Sequence, residues 1–524
     1  MKKFFFNSGS NNNTPFWQPW KWAGYWGRYL LFMLLLALLI ILLSLFRGCN
    51  NVGIEESIVV SDPEWNQPIE GGEEVGLPSR DENRLPSFDE LTPIPNPDNG
   101  GATEIYPNLL YVIFNSDAGD QVFTSFAQQF RERYAEPEHK IEAYNTSTKT
   151  AVLSVPSESR DRICQNLPSE ITGIDFMVVP VEVMTQFNTA NANTNTASVS
   201  SGSFNDPAFG NTNQSWYFEP IQAKRAWSIT QGSEDIIIGI VDSYMDLEHF
   251  ELKGNRAIFP YSVLTGCSDV APKVNSTPEC AGHGTMVTAI ATGNANNGQG
   301  SAGIAPKCKF IPVSLGDHIN TITQVEGILY CIYHGADVVN ISSGMYFPAN
   351  ISQLPIDQQV AFSRQYGVAQ AKMWDYVFKI AEQKNTTIVW AAGNSNCFCA
   401  MDASKRNRNT IRVSSVDRNL KKANFSNYGN FPNKSLYEST ISAPGVQIYG
   451  ALPNNSYDAW DGTSFSAPII TGTVALIKSV NKNLTTPQII DILKSTGKPI
   501  QGAPELGNLV QIYDAVAKAK SMLP

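Results

Sequence analysis

Four short segments of this chain place reactive side chains among small neighbours. In IIIGIVDSYMD, an apolar run leads directly into Asp242. A carboxylate at the carboxyl end of a buried strand can accept the Nδ1 proton of a histidine and stabilise the imidazolium that forms. Taken alone the signal is weak, because strands often end in aspartate for its turn preference. In GHGTMVTAIATG, His283 lies between two glycines and opens a predicted helix of small and apolar residues. The glycines leave room around the ring and allow close backbone approach. In DGTSFSAPIITG, Ser464 opens a second predicted helix, with Pro468 in its first turn or just beyond. There the helix amides and positive potential face the hydroxyl, although a plain N-cap serine has the same appearance. In WAAGNSN, Asn394 follows a strand and a glycine. Its amide is placed to donate to a developing oxyanion together with the Ser464 N–H. An aspartate, a histidine, a serine and an amide donor are the parts of nucleophilic acyl transfer.

The surrounding pattern supplies the scaffold. From about 215 to 524, strand-like runs (Ile236–Asp242, Lys309–Val313, Val338–Ile341, Thr387–Trp390, Thr410–Val413) alternate with helix-like runs (His283–Thr292, Ile322–His334, Tyr366–Gln383, Ser464–Val480, Pro487–Ser495). This alternation predicts an α/β fold with a mainly parallel sheet flanked by helices. Sites in such sheets lie at the carboxyl ends of the strands.

Together the four segments resemble the subtilisin-like serine peptidases, or subtilases. The chain order Asp, His, Ser is the one found in subtilisin. Further matches are His249 and Leu252 in LEHFEL, Asn340 to Gly344 (NISSG), ANFSNYG at 423–429 and SAPGV at 442–446. The resemblance implies a serine endopeptidase acting on protein or peptide substrates through an acyl-enzyme. Ser464 would be the nucleophile, His283 the general base, Asp242 its orienting partner and Asn394 part of the oxyanion hole. It also implies that Ser342, Ser343 and Gly344 form the backbone edge that pairs with extended substrate. No metal ligand is assigned and no cofactor is required; structural calcium is common in the family. Two positions depart from the pattern. Tyr244 stands where the aspartate motif usually has glycine, and Phe465 where methionine is usual. Tyr244 is the one feature that favours the alternative, an inactive binding module on the same scaffold. A lipase-like hydrolase is excluded by the order of the triad and by the absence of a G-x-S-x-G elbow around Ser464.

Upstream, residues 104–187 predict β-α-β-β-α-β: Asn108–Asn115, a helix with Phe123, Phe126, Phe130 and Tyr134 on one face, Lys140–Thr146, Thr150–Val155, a helix from Ser157 to Leu167 capped by Ser157, and Ile174–Met184. This small α+β, ferredoxin-like unit is similar to the inhibitory propeptide of subtilases. By that likeness the chain is a zymogen and the unit its own partner, with self-cleavage between Thr185 and Trp216. Residues 188–214 read as a flexible linker rich in Asn, Thr and Ser. Residues 47–103 read as a disordered acidic linker rich in Pro.

The first 46 residues point to a membrane. Tyr29–Phe46 is an apolar run of 18 residues, nearly enough helix to cross a hydrocarbon core of about 30 Å. Trp17, Trp20, Trp22, Tyr25 and Trp26 crowd its near side as an interfacial belt. Lysines and Arg28 precede it and acidic residues follow. A single-pass transmembrane helix is therefore expected, with residues 1–28 cytoplasmic and the peptidase domain on the periplasmic or extracellular side. A cleaved signal peptide would have an overlong n-region and lacks a small-residue cleavage site. A lipidated Cys49 would follow the unsuitable Phe46 and Arg47. The formal charge of −10 argues against nucleic acid as a partner. Cys267 and Cys280 are spaced to allow a disulfide in an oxidising compartment.

Overall fold

The computed structural model describes residues 104–183 apart from 136, residues 190 and 191, residues 204–523 apart from 435, and, ahead of these, residues 69, 75, 77, 78 and 85–96. The apolar run Tyr29–Phe46 lies outside the described residues. Among the described residues one helix, Thr463–Val480, is long and apolar enough to cross a membrane. It is 89% buried inside the fold, as a core helix is.

The N-terminal unit consists of β1 (Glu104–Phe114), α1 (Asp120–Arg133), β2 (Lys140–Asn145), β3 (Thr150–Ser154), α2 (Arg160–Glu170) and β4 (Phe176–Val183). All its ladders are antiparallel: β4 pairs with β1, β1 with β3, β3 with β2, and the short strand Ile94–Pro95, within the segment read as a disordered linker, also pairs with β1. The aromatic stripe of α1 packs on one sheet face, where Phe123, Phe126 and Phe130 meet Phe114 and Phe176. The α2 helix starts at Arg160 rather than Ser157. Its N-cap is Ser159, whose hydroxyl donates to Pro156 O at 3.2 Å instead of capping an amide.

The larger part holds β5 (Ile237–Asp242), α3 (Pro278–Thr292), β6 (Lys309–Ser314), α4 (Thr321–Tyr333), β7 (Val338–Ile341), α5 (Val368–Gln383), β8 (Thr387–Ala391), β9 (Ile411–Val416), β10 (Ile441–Pro444), the hairpin β11 (Ile448–Leu452) and β12 (Ser456–Asp461), α6 (Thr463–Val480), α7 (Thr486–Thr496) and α8 (Ile512–Ser521). The sheet runs β10-β9-β8-β7-β5-β6 and ends on the short strand Tyr261–Ser262, with every pair parallel. This is a subtilisin-like α/β fold, with strands buried on both faces. Ile238 and Ile240 point to the side that packs with α3 and α6. Val241 points to the side of α4 and α5, as the two-residue period of a strand requires. Strand β5 is followed by its neighbour β6 on one side, and the chain then returns to β7 on the other. The reversal leaves a crevice at the carboxyl ends of β5 and β7.

The free face of the N-terminal sheet closes over α4 and α5. Tyr111, Ile113, Val152 and Val179 share one apolar cluster with Ile322, Val325, Leu329 and Trp374.

Candidate active site

The site is assembled from strand ends and helix starts around that crevice. Asp242 is the last residue of β5 and has no exposed surface. Its Oδ1 accepts from Ser243 N at 2.8 Å and lies 2.7 Å from His283 Nδ1. His283, also fully buried, sits in α3. That helix begins five residues before His283, not at it, because Thr277 and Pro278 form the start signal. The Thr277 side chain accepts from Cys280 N, and Pro278 occupies the first turn. The histidine is thus held rigidly inside a helix. Its flanking glycines serve close packing: a Cβ on Gly284 would sit 2.5 Å from the Tyr244 carbonyl, and one on Gly282 would sit 2.9 Å from the Leu452 side chain.

Ser464 is the second residue of α6 and is 4% exposed. Its backbone N–H belongs to the first turn, where amides have no intrahelical acceptor. Ser342 follows β7 directly and is locked to Ser464 from both sides. The Ser342 hydroxyl donates to Ser464 O at 2.8 Å, and the Ser464 hydroxyl donates to Ser342 O at 2.9 Å. Asn340 Nδ2 holds the Ser342 hydroxyl at 2.9 Å, and Gln324 Nε2 of α4 holds Ser343 Oγ at 2.8 Å. Asn394 follows β8. Its Oδ1 accepts from Thr463 N at 2.9 Å and Thr463 Oγ1 at 2.7 Å. This fixes the amide orientation, with the NH2 end facing Gly462 at the start of α6. The structure therefore gathers Asp242, His283, Ser464, Asn394 and Ser342–Gly344 at one end of the sheet.

The two departures from the family pattern are accommodated. The Tyr244 hydroxyl donates to Asp317 Oδ2 at 3.0 Å, so its ring is drawn towards the loop after β6. Burial raises its pKa to about 12. The Phe465 ring lies 5.5 Å from the His283 ring and 6.1 Å from the Trp460 ring, a wall beside the imidazole.

No cluster of three or more His, Cys, Asp or Glu able to hold a metal ion occurs among the described residues. Asp206 and Glu251 flank the loop 294–301, but their oxygens accept N–H and O–H donors. Asp206 takes Asn296 N and Asn297 N at 2.9 and 3.0 Å. Glu251 takes Ser301 N, Tyr457 OH and Asn297 Nδ2 at 3.0, 3.1 and 3.1 Å. The carboxylates brace the loop directly. This acidic pair escaped the sequence reading because its members are far apart in the chain. Cys267 and Cys280 are not joined to each other: Cys280 is buried at the start of α3, and Cys267 Sγ donates to Thr265 O at 3.4 Å.

The profile of the Subtilase family matches residues 233–509, just over half of the 524. The chain belongs to the subtilase family. It is 29% identical over 302 residues to thermitase of Thermoactinomyces vulgaris, covering 57% of this chain and 92% of thermitase. It is 28% identical over 280 residues to the thermophilic serine proteinase of Bacillus sp. strain AK1, covering 53% of this chain but only 60% of that protein. Among solved structures, fervidolysin from Fervidobacterium pennivorans, a keratinolytic enzyme related to subtilisin, aligns with a TM-score of 0.55 at 18% identity. That alignment covers 83% of this chain and 62% of fervidolysin.

Proposed function

We propose that the protein is a serine endopeptidase that cleaves protein or peptide substrates through an acyl-enzyme, with Asp242, His283 and Ser464 as its triad. The observation that carries this reading is the fully buried Asp242–His283 contact of 2.7 Å, next to a serine pinned at a helix start. Substrate lies extended along Ser342–Gly344. The Ser464 hydroxyl swings from the Ser342 carbonyl to His283 Nε2 by rotation about χ1 and attacks the scissile carbonyl as the imidazole takes its proton. Asp242 holds Nδ1–H and offsets the imidazolium charge. Asn394 Nδ2 and the Ser464 N–H donate to the oxyanion. The imidazolium then protonates the leaving amine, and water repeats the sequence to free the acyl group. A fluorophosphonate probe should label the wild type at Ser464 and leave Ser464→Ala unlabelled. Absence of labelling in a folded, processed protein would sink the peptidase reading.

The protein is further read as a membrane-anchored zymogen. Two features support this. The N-terminal sheet covers α4 and α5, and Ala190–Asn191 joins β12 as an antiparallel strand, with Asp461 opposite Ala190. Strand β12 ends two residues before Thr463 and Ser464 follows, so the backbone of residues 190–191 pairs with the strand that leads to the nucleophile. Self-cleavage is expected in the residues just before Ala190, a narrower range than Thr185 to Trp216. The apolar run Tyr29–Phe46 would anchor the precursor, with the peptidase domain on the periplasmic or extracellular side. Cleavage in the linker would then free the peptidase from its anchor. Wild type should mature to a fragment beginning near Ala190, while Ser464→Ala stays at full length. Equal processing of both would show that another protease does the cutting.

A further inference from the structure

The substrate-pairing edge ends at Gly344, and what lies behind this glycine is charged. A Cβ on Gly344 would collide with Lys405 Nζ and come 3.0 Å from Asp402 Oδ2. Both charged residues are 1% exposed. They are joined by a contact of 2.6 Å from Lys405 Nζ to Asp402 Oδ2. The pair sits directly beneath the backbone that carries substrate, because Met345 N donates to the same Asp402 oxygen at 3.0 Å. Across from it, Phe347 N donates to Ser395 Oγ at 3.0 Å, which ties the end of this edge to the residue after Asn394.

Counting donors and acceptors decides what this pair can recognise. Asp402 Oδ1 accepts Ser404 N at 3.0 Å and Ser404 Oγ at 2.6 Å, while Oδ2 accepts Met345 N and Lys405 Nζ. A carboxylate offers about four lone-pair sites, so Asp402 is saturated. An ammonium has three donors. Among the described residues Lys405 uses one, on Asp402, and its other neighbour is the Trp390 ring at 5.8 Å from the centroid. The capacity left over is that of a buried donor, and a buried donor without an acceptor is costly.

We propose that Lys405 is a specificity-determining residue. It selects, in the substrate residue that becomes the acyl group, a side chain ending in a carbonyl or carboxylate oxygen. That side chain enters beside Gly344 and accepts from the free Lys405 donors, while Asp402 holds the ammonium in place and has nothing left for a basic side chain. The inference rests on the peptidase reading and adds a substrate class to it.

The test uses the self-processed protein and peptides that differ only in the residue before the scissile bond: Gln, Glu, Leu or Lys. The expected kcat/KM ranks Gln and Glu above Leu by roughly tenfold or more, the size of a hydrogen bond to a charged group, and Lys lowest. Lys405→Met should collapse the Gln-to-Leu ratio. Because that change leaves Asp402 buried without its partner, the double variant Asp402→Asn/Lys405→Met is run beside it and should show the same collapse. A wild-type profile that is flat, or that favours Lys, overturns the proposal on its own, as does a Gln-to-Leu ratio unchanged in both variants. Fluorophosphonate labelling with a flat profile would remove only this inference. No labelling and no hydrolysis of any peptide would remove it together with the peptidase reading.

Discussion

Asp242 and Glu326 are both carboxylates without exposed surface, and they are surrounded in opposite ways. Asp242 faces an imidazole at 2.7 Å, the ring proposed to take the serine proton during the reaction. Glu326, on α4, accepts from groups of the N-terminal unit: Tyr111 OH at 2.5 Å, Asn145 Nδ2 at 3.2 Å and the Thr150 hydroxyl. None of these takes up charge near neutrality. Burial first, and then the Glu326 charge, push the Tyr111 hydroxyl well above its ordinary pKa. A buried carboxylate facing an imidazole can orient the ring and offset its charge. One ringed by neutral donors from another unit fastens that unit in place.

The same isosteric change at both positions sharpens the contrast. Asp242→Asn should lower kcat by roughly 10⁴-fold with little effect on thermal stability. Glu326→Gln should leave the kcat of the processed enzyme unchanged and loosen the hold of the N-terminal unit. Steady-state kinetics on both variants checks this, and a kcat loss at Glu326 would merge the two roles. Next in size, Asn394→Ala removes the amide oriented by Thr463 and should cost roughly 10²–10³-fold in kcat with KM little changed. A change confined to KM would make Asn394 a binding group. Smaller in free energy is Glu326→Ala, which leaves buried hydroxyl and amide donors without their acceptor. In a Ser464→Ala background it should destabilise the docked N-terminal unit by roughly 2–4 kcal/mol. Amide exchange at Tyr111–Ile113 reads this out, and unchanged protection would show that apolar packing alone holds the interface.

Much of the peptidase part was legible in the sequence because buried parallel strands write themselves as apolar runs: Asp242 ends one such run and Asn394 stands three residues beyond another. Ser342 to Gly344 came only with the subtilase resemblance, on the segment NISSG. Helix starts were read less well. His283 looks like an opening residue because glycines surround it, yet the Thr277 cap and Pro278 begin the helix earlier. Ser157 precedes α2 but Ser159 occupies its cap position. What the sequence could not disclose depends on distant pairing. Asp206 meets the 294–301 loop, Glu326 meets Tyr111, and Lys405 lies behind Gly344 only once the fold is closed. The short helices Ala349–Ser352 and Ile356–Gln365 carry little apolar periodicity, and only Ile351, Ile356, Val360 and Phe362 pack, partly buried, on the cluster of Phe347, Phe398 and Met401.

Glu251 lies between the two extremes, and its pH response tests the distinction most finely. It is 1% exposed and bonded to an amide, a phenol and a carboxamide, as Glu326 is to neutral donors. Even so, burial raises its pKa from 4.5 to about 7, and the nearby Asp206 charge adds to the rise. A carboxyl group whose pKa is higher in the folded chain favours folding in its protonated form. Its contribution is therefore complete below about 4.5 and is lost as pH rises through about 7. Glu251→Gln keeps the shape without the titration. Measured on the Ser464→Ala protein, the melting temperature of Glu251→Gln relative to Glu251 should improve steadily from pH 5 to pH 8. The opposite slope would mean that the donors stabilise the anion more than burial penalises it, and Glu251 would then belong with the fasteners.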